Sequence, residues 1–147
     1  AGMVQNIDIA PTLLDFAGVK APENAPAMDG RSFRDLLEGK KPATPWRDHI
    51  LYEYHWEWNF PATPTLFSIR TDRYKYIYYY GLWDKNGFYD LQTDPHERHN
   101  LIDVPAFAEQ IEALKKQLFD ELEESGGLDI PARRPKGEPL HDRKLRR

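Results

Sequence analysis

The chain of 147 residues contains no cysteine, which excludes a disulfide framework and a thiolate metal site and leaves the redox compartment unread. No stretch approaches the ~18 apolar residues that would span a bilayer. The first twenty residues lack the charged start and apolar run of a signal peptide. Its three serines, Ser32, Ser68 and Ser125, stand in no Gly-x-Ser-x-Gly elbow, and there is no glycine-rich phosphate loop. No catalytic residue and no metal ligand is therefore assigned.

Apolar material is plentiful. Hydrophobic residues make up 40%, with 7 Phe, 8 Tyr and 4 Trp, enough for a packed core. Seven of the twelve prolines fall between residues 11 and 64, which favours ordered irregular connections there. The net charge of −4 is uneven: residues 131–147 carry seven basic and two acidic side chains, a net +5, which leaves −9 on the remainder. Such a tail can meet an anionic polymer, but no aromatic stands among its charges to stack on bases. The tail reads as a solvated terminus. Neither nucleic acid nor a membrane is an expected partner.

Periodicity predicts the elements. Asp8 can cap a short helix with Pro11 in its first turn, and Ile9, Leu13, Phe16 and Ala17 then share one side. That helix is very apolar for its length and is expected to pack against a body larger than the rest of this chain. Arg31 to Glu38 predicts two further turns with Phe33, Leu36 and Leu37 buried. From His49 the period becomes two: Tyr52, Tyr54, Trp56 and Trp58 share one strand face, and Leu51, Glu53, His55 and Glu57 the other. Leu66 to Thr71 and Tyr74 to Tyr80 flank an Asp72-Arg73 turn, and Asn86-Gly87 is a hairpin-type signal before Phe88. After Pro105, Phe107, Ile111, Leu114, Leu118 and Leu122 form an amphipathic stripe, with Glu112 and Lys116 a pair on the wet face and Gly126-Gly127 a stop. The expected fold is α+β: a small four-stranded antiparallel sheet packed against a long C-terminal helix, preceded by a remnant of a larger α/β domain. The corresponding spans are 1–45, 46–127 and a basic tail, 128–147.

Three constellations invite chemistry. Asp94-Pro95-His96-Glu97-Arg98-His99 has histidines three apart after a proline, which is not the metalloprotease spacing and reads as a turn. Arg70, Arg73 and Lys75 near one turn form an anion site or else pair with carboxylates of the acidic body. His55 shares its face with Glu53 and Glu57, which is not a core pattern, so these side chains look outward or into a cleft. Trp56 and Trp58 can stack on a sugar ring with His55 donating to a hydroxyl or an anionic oxygen; alternatively the tryptophans cover the core and His55 is solvated.

Several blocks together resemble the type I sulfatases of the alkaline phosphatase-like superfamily, especially those acting on sulfated sugars such as N-sulfoglucosamine. They are Asn6-Ile7-Asp8-Ile9-Ala10-Pro11-Thr12 with Leu13-Leu14-Asp15-Phe16-Ala17-Gly18, then Asp29-Gly30-Arg31-Ser32-Phe33 with Leu36-Leu37. Arg70-Thr71, Tyr74-Lys75, Tyr89-Asp90-Leu91, Asp94-Pro95, Glu97 and Asn100-Leu101 complete the set. The resemblance covers about residues 4–125. It implies the C-terminal part of an enzyme that hydrolyses a sulfate ester or N-sulfate of a sugar or glycosaminoglycan. It also implies a formylglycine made from a Cys/Ser-x-Pro-x-Arg motif, a Ca²⁺ ion, and a periplasmic or secreted setting. No such motif is present: Ser32 is followed by Phe33-Arg34-Asp35, without the proline. The segment by itself is then expected to be inactive, with an upstream catalytic α/β domain and a sulfated carbohydrate as its partners. Its implied role is to shape the substrate cleft, for which His55, Trp56, Trp58 and Thr65 are the candidate substrate-binding residues. The alternative is an autonomous carbohydrate-binding or interaction module without catalysis.

Overall fold

A computed structural model describes residues 2–20, 22, 24–57, 62–81 and 85–129, and the backbone of 132–133 and 139–140. The chain divides into two compact units, Ala1–Ile50 and Leu51–Arg147.

The first unit is built around a buried acid. A 3₁₀ turn at Asn6–Asp8 leads into α1 (Ile9–Phe16), and α2 (Arg34–Leu37) is a single turn. Asp8 does not cap α1 with its side chain. Its carboxylate is fully buried and faces away from the helix, accepting from the Gln5 and Arg31 backbone N–H groups at 2.8 and 2.9 Å and from both terminal nitrogens of Arg47 at 2.5 and 2.7 Å. Thr12 Oγ1 donates to the Asp8 carbonyl and accepts from Phe33 N–H. These bonds tie residues 31–33 to α1; α2 begins only at Arg34 and leaves Leu37 exposed, against the expectation of two buried turns. Gly30 makes the crossing possible, because a Cβ there would lie 2.0 Å from the Ile7 carbonyl oxygen.

The second unit is a sheet of order β1-β2-β3-β4, formed by His49–Tyr54, Leu66–Thr71, Tyr74–Tyr79 and Gly87–Asp90, with the long helix α3 (Ala108–Ser125) against it. A four-stranded antiparallel sheet on a C-terminal helix is the α+β arrangement that the periodicity predicts. Strands β2 and β3 pair antiparallel with Leu66 opposite Tyr79 and Arg70 opposite Lys75, and β3 and β4 with Tyr74 opposite Asp90. The Asp72-Arg73 turn is closed by Thr71 Oγ1, which accepts from Tyr74 N–H and donates to its carbonyl. Asn86-Gly87 is not a two-residue hairpin turn. β3 ends at Tyr79 and β4 begins at Gly87, and Asn86 Oδ1 accepts from Tyr79 N–H; residues 82–84 lie outside the described residues.

The core lies between sheet and helix. Phe67, Ile69, Tyr76 and Phe88 meet Ile111, Leu114, Leu118, Phe119 and Leu122, with Tyr74, Tyr78 and Tyr80 packed at its border. Tyr74 stacks on Phe88 at 5.3 Å and Tyr78 meets Phe119 edge-on at 5.3 Å. Burial pushes the Tyr76 phenol up to about 12. A 3₁₀ turn at Pro105–Phe107 precedes α3, which ends on Gly126 in the left-handed conformation. On the wet face Glu112 pairs with Lys115 and Lys116 with Asp120, in place of the expected Glu112–Lys116 contact. A short antiparallel ladder joins Ala132–Arg133 (β5) to Pro139–Leu140 (β6); the charged side chains of the tail lie outside the described residues.

Candidate substrate-contacting site

The end of β1 brings His55, Trp56 and Thr65 together. Thr65 is buried, its Oγ1 accepting from Trp56 N–H at 2.8 Å and its carbonyl from Tyr80 N–H at 2.9 Å. One threonine thus ties the chain leaving β1 to the chain entering β2 and to the end of β3. Trp56 remains 41% exposed on this anchored backbone. Trp58 lies outside the described residues.

Leu51, Glu53 and His55 share one face, as the alternation predicts, but that face borders the core and is not the outward one that its polarity suggests. Leu51 packs on the core, the His55 ring meets Phe67 edge-on at 5.7 Å, and Glu53 reaches the end of α3. This is the helix side of the sheet, whereas Tyr52 and Trp56 on the other side are exposed. The physical reason is that β1 is an edge strand and α3 ends beside it in glycines. Polar groups can border the core there and still reach water. A Cβ at Gly127 would stand 2.9 Å from Glu53 Oε2 and 2.7 Å from Leu122 Cδ2, so the carboxylate lies directly against bare backbone. His55 Nε2 is 3.7 Å from Glu53 Oε2. His55 Nδ1 is buried with no hydrogen-bond partner among the described residues. The sequence carries Glu53 and Gly127 openly, but only the packing of α3 reveals that they touch; Gly126-Gly127 alone reads as a helix stop.

The other constellations are structural. Arg73 donates to Asp90 at 2.9 and 3.2 Å, and Lys75 to Glu97 at 2.7 Å, so two of the three cations near that turn serve carboxylates and not an anion. The Arg73 guanidinium holds the Asp90 carboxyl below its ordinary value of 3.8, against the opposing effect of burial. Residues 94–99 form turns, with Asp94 accepting from His99 N–H. Asn100 sews the segment after these turns to β4: its Oδ1 accepts from Phe88 and Ile102 N–H, and its Nδ2 donates to the Asn86 carbonyl.

The donor set does not suit a sulfatase's metal or nucleophile. Among the described residues no three His, Asp or Glu side chains converge. Asp8 is saturated by Arg47 and two amides, and Ser32 Oγ donates to Asp15 at 2.5 Å. These residues do not fit a Ca²⁺ site or a formylglycine precursor. No described helix is long and apolar enough to cross a membrane.

The described residues of the second unit form a two-layer α+β arrangement with a polar edge. Comparison with known proteins identifies the family: the model of the N-sulphoglucosamine sulphohydrolase C-terminal region matches residues 1–124, and the chain belongs to that family, within the alkaline phosphatase-like superfamily. It is 36% identical to an N-acetylglucosamine-6-O-sulfatase of Bacteroides thetaiotaomicron over 82% of this chain and 20% of that protein. It is 33% identical to a Delta 4,5-hexuronate-2-O-sulfatase of the same organism, over 78% of this chain and 22% of the relative. A solved complex of a protein with its substrate D-glucosamine-2-N,6-O-disulfate superposes with a TM-score of 0.68 and 33% identity, over 84% of this chain and 24% of the other. The chain spans about a fifth of the length of these curated relatives.

Proposed function

We propose that this chain is the cleft-shaping C-terminal part of a sulfatase that removes a sulfate ester or N-sulfate from a sugar. The Ca²⁺ ion and the formylglycine nucleophile come from an upstream α/β domain of the same protein. In this reading His55 and Trp56, with Trp58, contact the sugar, and buried Thr65 holds the backbone that carries them. The observation that carries it is the Thr65 Oγ1 bond to Trp56 N–H, which fixes an exposed tryptophan and a half-buried histidine side by side at the end of β1. An exposed aromatic held by its backbone offers a stacking surface at little entropic cost.

The upstream domain also has a place to dock. Ile7, Ile9, Leu13, Phe16 and Val19 are each roughly half exposed or more in the first unit. A face of that kind is unusual on a free surface. Relatives about five times as long provide the domain to cover it.

Reading the coding sequence upstream of Ala1 is the first test, with a Cys/Ser-x-Pro-x-Arg motif expected there. The second uses the intact enzyme with His55→Ala. Its kcat/KM toward N-acetylglucosamine-6-sulfate should fall about tenfold or more, with turnover of a small aryl sulfate changed less than about twofold. An equal loss on both substrates, or none on either, would remove the assignment. An upstream region without the motif, together with sugar binding by this chain alone, would favour the autonomous carbohydrate-binding module, for which the exposed Tyr52 and Trp56 would serve.

A further inference from the structure

We propose that Glu53 is the positioning residue for His55 and that the pair recognises an uncharged hydroxyl of the sugar, not its sulfate. This rests on the reading that the segment after β1 meets substrate. Three features of the ring define what it can offer. Phe67 meets it edge-on at 5.7 Å, Nδ1 is buried without a partner among the described residues, and Nε2 faces Glu53 Oε2 at 3.7 Å. The carboxylate favours the tautomer with its proton on Nε2, because the negative oxygen attracts that N–H. The side chain keeps 31% of its surface exposed, and Nε2, beside the carboxylate, is the ring nitrogen left to meet a ligand.

A gap of 3.7 Å is too long for a direct hydrogen bond, and it suits a bridging oxygen. An atom about 2.8 Å from each of two groups at that separation can accept from Nε2–H and donate to the carboxylate. A hydroxyl does both. A sulfate oxygen has no proton to donate and would bring a second negative charge beside Glu53, so the geometry selects against it.

The seat of Glu53 strengthens the assignment. Its carboxylate lies on the bare backbone of Gly127, where any Cβ would stand 2.9 Å from Oε2. The gap is thus set by two elements, the edge strand and the end of α3, which gives a route to disturb it without altering charge.

The experiment uses the intact enzyme, upstream region included, with its histidines labelled with ¹⁵N. Long-range ¹H–¹⁵N spectra of the histidine rings should show His55 in the Nε2–H tautomer, and Glu53→Ala should mix the tautomers. Titration with N-acetylglucosamine should shift the His55 ring signals, and inorganic sulfate should not. Glu53→Gln should weaken the response to the neutral sugar about tenfold, the size expected for loss of one charged hydrogen-bond partner. Gly127→Ala should weaken it in the same direction with the charge intact. A His55 response to inorganic sulfate in the unaltered enzyme would overturn the proposal, as would an unchanged sugar response in Glu53→Gln whose backbone spectrum is native. Those results would leave the substrate-contacting role standing. An enzyme whose His55 signals ignore every probe, sulfated sugar included, would remove both.

Discussion

Arg47 closes on Asp8 across 39 residues with both terminal guanidinium nitrogens, at 2.5 and 2.7 Å from the two carboxylate oxygens. Asp8 has no exposed surface, and the Arg47 side chain retains only 11%. The Arg47 guanidinium also lies over the Trp46 ring at 4.9 Å, with Arg31 at the same distance. The pair is the hub around which the first unit is assembled, because Gln5 and Arg31 donate to the same carboxylate.

Removing one partner of a buried, hydrogen-bonded pair strands the other. Arg47→Ala is therefore expected to destabilise the first unit by about 3–5 kcal/mol. Chemical denaturation followed by Trp46 fluorescence would measure it. Arg47→Lys should recover only part, since an ammonium cannot reproduce the two-pronged contact.

Acid sensitivity arises from the same carboxylate. Burial opposes ionisation of Asp8, but the Arg47 bond and the Arg31 and Gln5 N–H groups outweigh it and hold the carboxyl below its ordinary 3.8. Asp90 is lowered likewise, chiefly by Arg73. A carboxyl lowered in the folded state stabilises fully above its unfolded value, and that stability is lost as pH falls through the folded value. Stability from these two groups should therefore be flat from pH 8 to about 5 and should decline from about pH 4 downward. Urea midpoints across that range would test it, with Asp8→Asn and Asp90→Asn each shrinking the acid-induced loss.

Gly30 is the tightest close approach in the first unit. A methyl group there would sit 2.0 Å from the Ile7 carbonyl oxygen and 2.9 Å from the Asp8 nitrogen, both backbone atoms that cannot swing aside. Gly30→Ala should cost about 3 kcal/mol or more, the upper end for overpacking. Thermal melts would show the loss. Gly39→Ala is a control for glycine replacement without collision, because nothing lies within 4 Å of its site and only its left-handed backbone, φ +68°, adds strain.

Much of the second unit is legible in the sequence because its signals are local. Alternation of two marks Phe67 and Ile69, spacings of three and four mark Ile111, Leu114, Leu118 and Leu122, and these are the residues that meet in the core. The sulfatase resemblance is legible too, since blocks such as Asp29-Gly30-Arg31 and Asn100-Leu101 survive as runs. Their reasons are not legible. That Gly30 passes under Ile7, or that Asn100 serves Phe88, depends on contacts between segments distant in sequence. The placing of Glu53 and His55 beside the core has the same origin. Polarity predicts an outward face, but only the glycine end of α3 makes a polar border on the helix side tolerable.

Asn100 replaces a strand at the open side of β4. Its side chain accepts from Phe88 N–H at 3.0 Å and from Ile102 N–H at 3.1 Å, and Leu101 N–H bonds the Phe88 carbonyl at 2.8 Å. Asn100→Ala leaves the amide of fully buried Phe88 without its acceptor, at an expected cost of about 2 kcal/mol. Faster hydrogen exchange at the Phe88 amide would locate the effect. Asn100→Asp keeps the acceptor and loses only the donor to the Asn86 carbonyl, so its loss should be smaller.

Leu13 is 64% exposed, with Ile9 at 51% and Phe16 at 48% beside it on α1. Residues four and three apart share a helix face, so the three form one apolar stripe. Nothing in the first unit's own hydrogen bonding depends on the Leu13 side chain. Leu13→Glu should therefore change the melting of this chain by no more than about 0.5 kcal/mol. The same change should reduce the chain's concentration-dependent self-association, measured by sedimentation, because it places a charge in the middle of the stripe. In the intact enzyme proposed above it should lower the yield of active protein, since a carboxylate would then be buried unpaired where the proposed upstream domain docks. If sedimentation finds the unaltered chain monomeric at every concentration, and the intact enzyme tolerates Leu13→Glu with full yield, the stripe is an ordinary surface and the docking assignment falls.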